Sequence, residues 1–226
     1  LRGRDIKRYG YEWAGLYLIA TFPSRHYDIE LYPAVKKFLL SFAKESLIES
    51  GYQWVADSYL EEFCKQKLEQ SGRFIEIQGK RIRIGKDDEK SRKKTSNKWF
   101  ETQDSISYWE DFSKPKIVWA ELARTGNAFA LDFENHMVGN TGYVLTCPSS
   151  SHQELLYLLA FLNSRSTLYS LNHLTTRFDE NGWRWLRQFV EQLHIPPNMR
   201  SFSDCKVYRL YLRAWIFYPN IGLNEL

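Results

Sequence analysis

An α+β fold, with mixed or antiparallel sheets and several packed helices, is what this 226-residue sequence predicts. Three observations carry that expectation. Leu31, Val35, Phe38, Leu39 and Phe42 recur at helical spacing. After Gly72 the apolar period changes to two, the period of a half-buried strand. Hydrophobic residues make up 43% of the chain and aromatics 16%, enough for one substantial core or two small ones and too much for a disordered segment.

Taken in order, residues 17–22 (YLIATF) are expected to form a buried strand, ended by Pro23 and Ser24. An amphipathic helix over 32–45 follows, with Pro33 in its first turn, where a missing N–H breaks no helical bond. Residues 59–70 are a candidate second helix. Phe74, Ile75 and Ile77, then residues 81–84, make two strands joined near Gln78 and Gly79, hence a hairpin. On it Ile82 and Ile84 face the core while Arg81 and Arg83 face the other way. Residues 85–98 have almost no apolar member and read as an exposed loop. Residues 116–123 (KIVWAELA) form a strand after Pro115, Phe129, Leu131 and Phe133 alternate as the next, and 142–147 make a third. Ser151 with Glu154 three residues later is a capping box, and the leucine-rich run behind it is a helix packed on more than one side. Residues 183–193 are expected to be helical up to Ile195-Pro196-Pro197, and the last twenty residues strand-like.

The formal charge is only +4, but it is unevenly placed. From Arg73 to Lys98 there are ten basic and four acidic residues, so this segment carries +6 and the rest of the chain −2 (4 − 6). A concentrated patch of that kind attracts a polyanion and releases its counterions. Cys64, Cys147 and Cys205 are odd in number and far apart, which is expected of reduced, intracellular thiols rather than a disulfide framework or a metal site. There is no charged leader before an apolar core and no uncharged apolar run of about 18 residues, so a cytoplasmic location is expected and a membrane is not. Leu1 in place of Met is expected of a piece of a longer protein.

Catalytic signatures are missing. The chain has no nucleotide-type Gly-rich loop, no G-x-S-x-G and no H-E-x-x-H. Its histidines (His26, His136, His152, His173, His194) share no ligand spacing with any cysteine. Asp87, Asp88 and Glu89 lie among lysines, without the separated acidic pair followed by lysine that a metal-dependent nuclease needs. Base methylation would require a cofactor-binding glycine loop and a pocket for a flipped base. A binding module with no catalytic residue, metal or cofactor of its own is therefore expected.

Several strings together resemble one family. Gly3-Arg4-Asp5-Ile6-Lys7-Arg8-Tyr9 is similar to a G-x-D-I-x-R-Y junction, and Tyr32–Leu39 (YPAVKKFL) to a helix that follows a proline. Lys114-Pro115-Lys116-Ile117-Val118-Trp119 resembles a P-K-I-V/I-W/Y strand. Phe129, Asp132 and Asn140-Thr141-Gly142-Tyr143 follow in order. Leu158-Leu159-Ala160-Phe161-Leu162-Asn163-Ser164 is similar to an L-L-A-x-L-N-S helix, and His194-Ile195-Pro196-Pro197 lies near a P-I-P string, with His194 where a proline is usual. The order is that of the TaqI-like C-terminal specificity domain of N6-adenine DNA methyltransferases and type II restriction-modification enzymes.

The resemblance implies a target-recognition domain over residues 31–198 with a basic insertion at 79–98, a junction and first strands at 1–30, and a C-terminal extension at 199–226. Its function would be sequence-specific recognition of double-stranded DNA, positioning the target base for a separate methyltransferase domain. S-adenosylmethionine would be that domain's cofactor, and a nuclease domain is a further possibility for the parent. Phosphate gripping is assigned to Lys80, Arg81, Arg83, Arg92, Lys93 and Lys94, and base-edge contacts to Asn97, Lys98, Gln103, Arg124 and Asn127. A plain solvated surface fits each of these residues as well. Trp99 and Phe100 are either core or a wedge in the duplex. Arg4, Asp5 and Tyr9 are placed at the junction with the methyltransferase domain, Arg4 and Asp5 as an ion pair. The rival from another class is a protein-interaction or scaffold module in which the tyrosines and tryptophans form the partner surface and the basic loop is incidental.

Overall fold

The computed structural model describes residues 1–69, 74–83, 96–103, 105–124, 126, 129–147, 152–180, 182–194 and 206–209. They fall into two units, one built from Ile19–Ser105, the other from Leu1–Leu18 and residues from Ile106 onward.

In the Ile19–Ser105 unit, helix α1 spans Pro33–Glu49, starting at the expected proline and running four residues past the expected end. Leu47 in that extra turn is buried with Leu39 on the core side. Gly51, at φ +84°, ends the helix: its N–H reaches the Ile48 carbonyl and the Tyr52 N–H the Leu47 carbonyl. Helix α2 (Leu60–Glu69) follows a short 3-10 turn at Asp57–Tyr59. Strands β1 (Phe74–Ile77) and β2 (Lys80–Arg83) form the expected hairpin. Leu47, Val55, Leu60 and Phe63 from the helical half bury Ile75, Ile77 and Ile82 from the hairpin. Ile84 lies outside the described residues.

No strand forms at 17–22. Leu18 makes a single isolated bridge, the boundary between the units falls just after it, and a strand without a continuous ladder is not stable. Its second half is held by Phe22, which is buried, and by one bond from the Thr102 N–H to the Thr21 carbonyl.

The other unit is organised by strands buried on both faces. Strand β3 (Lys116–Ala120) is a separate element from β4 (Leu122–Ala123), and the run expected as one strand divides at Glu121. The Glu121 N–H bonds to the Thr141 carbonyl, while its own carbonyl accepts from Trp185, so the chain leaves one sheet and enters another there. Strands β5 (Phe129–Asp132) and β6 (Gly142–Thr146) flank β3 antiparallel, with Trp119 opposite Phe129 and Tyr143. Helix α3 (His152–Leu162) covers this core with Leu155, Leu158, Leu159 and Leu162. Ser151, half of the expected capping box, lies outside the described residues. Helix α4 (Arg165–Leu174) is capped by Ser164, whose hydroxyl accepts the Thr167 N–H.

Strands β7 (Arg177–Asp179) and β8 (Gly182–Arg184) complete a second sheet in the order β4-β8-β7. Helix α5 (Arg187–Val190) is a single turn. The helix expected over 183–193 is thus mostly not one. Trp183, Leu186, Val190 and Leu193 do match a helical period, but Trp183 is a strand residue paired with Ala123 and Arg177. Strand β9 (Lys206–Arg209) pairs with β6 and completes the order β5-β3-β6-β9.

Cys64 is a free thiol that burial pushes up to about 11. Cys147 is disulfide-bonded, contrary to the expectation of three reduced thiols. Among the described residues no helix is long and apolar enough to cross a membrane.

Candidate nucleic-acid interface

The β1–β2 hairpin sorts its residues by face. Gln78 and Gly79 both have positive φ, +52° and +67°, the geometry of a two-residue turn whose twist matches the strands. That turn fixes the register Phe74↔Arg83, Ile75↔Ile82, Glu76↔Arg81 and Ile77↔Lys80. Because side chains alternate, the three isoleucines share the buried face, and Phe74, Glu76, Arg81 and Arg83 form one exposed row. The expected separation of Ile82 from Arg81 and Arg83 is what the hairpin shows.

Aromatic rings steady its cations. The Arg81 guanidinium lies 4.5 Å from the Phe74 ring centre, and the Lys80 ammonium 4.9 Å from that of Trp54. The Arg83 N–H donates to the Tyr52 hydroxyl at 3.0 Å, tying the end of β2 to the α1–α2 connection. These supports, Phe74, Trp54 and Tyr52, escaped the sequence reading because no local pattern reports which ring a cation will meet across a fold.

The remaining candidates are scattered. Arg92, Lys93, Lys94 and Asn127 lie outside the described residues. Asn97 donates its amide N–H groups to the Thr102 and Gln103 carbonyls at 2.7 and 3.0 Å, which closes the 97–103 loop. Gln103 thus enters by its backbone. Lys98 donates its backbone N–H to Glu101 and its ammonium to the Tyr27 carbonyl at 3.3 Å. Phe100 is buried with Ile29 and Leu39, and Trp99 packs beside them, which is the core alternative for this pair. Arg124 is in the other unit, ion-paired to Asp179 at 3.1 Å and lying over the Phe178 ring.

At the start of the chain, Asp5 pairs with Arg2 rather than with Arg4. The Arg2 guanidinium and its backbone N–H reach the Asp5 carboxylate at 2.8 to 3.2 Å. Position matters here: in the 3-10 turn Gly3–Asp5, residue 5 stacks over residue 2, whereas residue 4 points away. Burial works to raise the Asp5 pKa, but the Arg2 bonds outweigh it and hold the carboxyl below its usual range. Arg4 is exposed, and its carbonyl accepts from the Lys7 ammonium. Tyr9, Trp13 and Tyr17 are large exposed aromatics, at 52%, 41% and 52% exposure.

Two of the strings that carry the family resemblance are built into the core. Lys116 and Asp132 are fully buried and paired at 2.6 Å across β3 and β5. Asp132 also accepts from the Glu134 and His136 N–H groups and from the Tyr11 hydroxyl. Burial opposes both charges. It draws Lys116 below the usual lysine range, whereas for Asp132 the Lys116 ammonium and the other donors prevail and lower the pKa. Asn163 is buried and clamps the β5 backbone, donating to the Phe129 carbonyl and accepting the Phe129 N–H. The Leu158–Ser164 string that holds this asparagine is a packing device.

Fold and surface therefore define an α+β protein with a basic, ring-supported hairpin. Residues 61–195, well over half of the chain, match the TaqI-like C-terminal specificity domain, and the chain belongs to that family. Membership supports a DNA-recognition role in restriction-modification enzymes. No curated protein matches the sequence. The opening G-R-D-I-K-R-Y string and the Pro33 helix lie outside the matched range.

Proposed function

We propose that this chain reads double-stranded DNA in a sequence-specific way and positions the target base for a separate methyltransferase domain. The observation that supports it is the hairpin: a turn that fixes register, a buried isoleucine face, and Arg81 and Arg83 together on the exposed face with Lys80 at the turn. A cation steadied on a ring, as Arg81 is on Phe74, meets a phosphate backbone with little further loss of side-chain freedom. Base-edge reading falls to Gln103, Arg124 and Asn127, with Arg92, Lys93, Lys94 and Lys98 adding charge. The methyltransferase domain binds S-adenosylmethionine with its own residues and docks against Arg4 and Tyr9, where Trp13 and Tyr17 extend the exposed aromatic surface.

The test is binding of the chain to a duplex and to a matched single strand at two salt concentrations. Duplex binding should weaken steeply with salt, and R81Q/R83Q should reduce the slope of log K against log salt by about 1.8, at about 0.9 per phosphate contact. Exposed Tyr9, Trp13 and Tyr17 also favour the second reading, a protein-interaction module. On that reading the chain binds no duplex even at low salt.

A further inference from the structure

A cavity of about 170 Å³ opens in the Ile19–Ser105 unit, lined by Ile19, Thr21, Tyr27, Ile29, Tyr32 and Val35 among others. The local chain builds it. Pro23 starts a 3-10 turn (Pro23–Arg25) that ends on His26 in the left-handed region, at φ +51°, and Tyr27 follows to line the cavity. Ile29 and Tyr32 come from the next 3-10 turn and its end, and Val35 from the first turn of α1. The Tyr27 and Tyr32 rings lie 5.7 Å apart between centres at an angle of 78°, so they make two adjoining aromatic walls. Ile19, Ile29 and Val35 supply aliphatic ones.

Thr21 breaks the apolar lining. It is 5% exposed, its N–H donates to the Ile19 carbonyl and its carbonyl accepts the Thr102 N–H. Its buried hydroxyl has no hydrogen-bond partner among the described residues. An unpaired buried hydroxyl is unfavourable, and at a cavity wall a ligand with a polar edge relieves it. Two cations stand at Tyr27: the Arg25 guanidinium lies 5.9 Å from its ring centre, and the Lys98 ammonium donates to its carbonyl at 3.3 Å. Size narrows the class of ligand. An apolar cavity of about 150 Å³ holds one six-membered ring, whereas sites for drug-sized ligands run to about 300–1,000 Å³. A pyrimidine base with its phosphate offers one flat ring, a hydrogen-bonding edge and an anion. A leucine or phenylalanine side chain of a partner protein offers neither the edge nor the anion.

We propose that this cavity takes a pyrimidine base that has left the duplex stack, with Thr21 bonding its edge and Arg25 and Lys98 beside its phosphate. The proposal rests on the DNA-recognition reading above and adds a single-base site to it. The experiment measures binding of the full chain to a matched duplex, to that duplex with one bulged thymine and to that duplex with one bulged adenine. The thymine bulge should bind about 10-fold more tightly than the matched duplex, the gain expected of one base stacked on aromatic rings. The adenine bulge should bind like the matched duplex, because its two fused rings exceed the cavity. Thr21→Val keeps the side-chain shape, removes the hydroxyl and should cut the thymine gain about 5-fold. Matched-duplex binding with no gain at the thymine bulge overturns the site and leaves the DNA-recognition reading standing. So does an equal gain at both bulges, or a gain that Thr21→Val does not reduce. Thymine-bulge binding without matched-duplex binding keeps the site and overturns that reading, and no binding to either overturns both. Should Thr21→Val melt early, the methyl NMR signals of Ile19, Ile29 and Val35 in the wild-type chain decide. They shift with the thymine bulge and not with the matched duplex, or the proposal fails.

Discussion

The β1–β2 hairpin and the β3 strand are built from similar residues and end in opposite roles. In β3, Lys116, Ile117, Val118 and Trp119 are all buried, because β5 and β6 pair on either side and other elements cover both faces. In the hairpin only every second residue is buried. Lys116, whose ammonium is sealed against Asp132, serves the core; Arg81, on the exposed row, is available to a partner. A basic residue in a strand therefore means nothing until the number of covered faces is known. The family-like string around Lys116 belongs to the scaffold, and the proposed recognition surface lies on the strand that is covered on one face.

Changes on the doubly covered strands should cost the most stability. Asp132→Asn leaves the Lys116 ammonium buried without its counter-charge and should cost about 3–5 kcal/mol in urea unfolding. Ile82→Ala on the half-covered hairpin should cost about 2–4 kcal/mol, since the cavity lies in a smaller core. Acid sharpens the contrast. The folded pKa of Asp132 is held below the ordinary 3.8, so its contribution is fully present above that value and is lost as pH falls through the lower folded pKa. Unfolding midpoints followed from pH 6 to pH 2 should fall further in the wild-type chain than in Asp132→Asn, where Asp5 still contributes its own loss. R81Q/R83Q should change stability least, by about 0.5 kcal/mol or less, because both side chains are on the exposed row. A large loss of stability in that variant would break the comparison.

How much of this was legible follows from the same contrast. The hairpin was readable because four-residue strands of period two meet at a turn that favours glycine, and α1 because its period persists for four turns. The division at Glu121 was not, since one apolar run serves two sheets and the switch depends on Thr141 and Trp185, both distant in sequence. Nor were β7 and β8, three residues each, too short to establish a period against the helical spacing of Trp183, Leu186, Val190 and Leu193. The candidate site was legible at Arg81 and Arg83, where face follows from alternation. At Asn97 the side chain closes its own loop, a use that residue type alone does not report. The pairing of Asp5 with Arg2 depends on a 3-10 turn that the sequence reading did not expect.

The central claim is that the exposed row of the hairpin, not the strands of the sheet core, meets the duplex. Titrating the isotopically labelled chain with a duplex and following backbone amide and arginine side-chain resonances by NMR tests it most directly. The account predicts that the amides of Phe74, Glu76, Arg81 and Arg83 and the side-chain signals of both arginines shift, while the amides of Ile117, Val118 and Leu145 hold still. Shifts confined to Tyr9, Trp13 and Tyr17, with the hairpin unmoved, would contradict it.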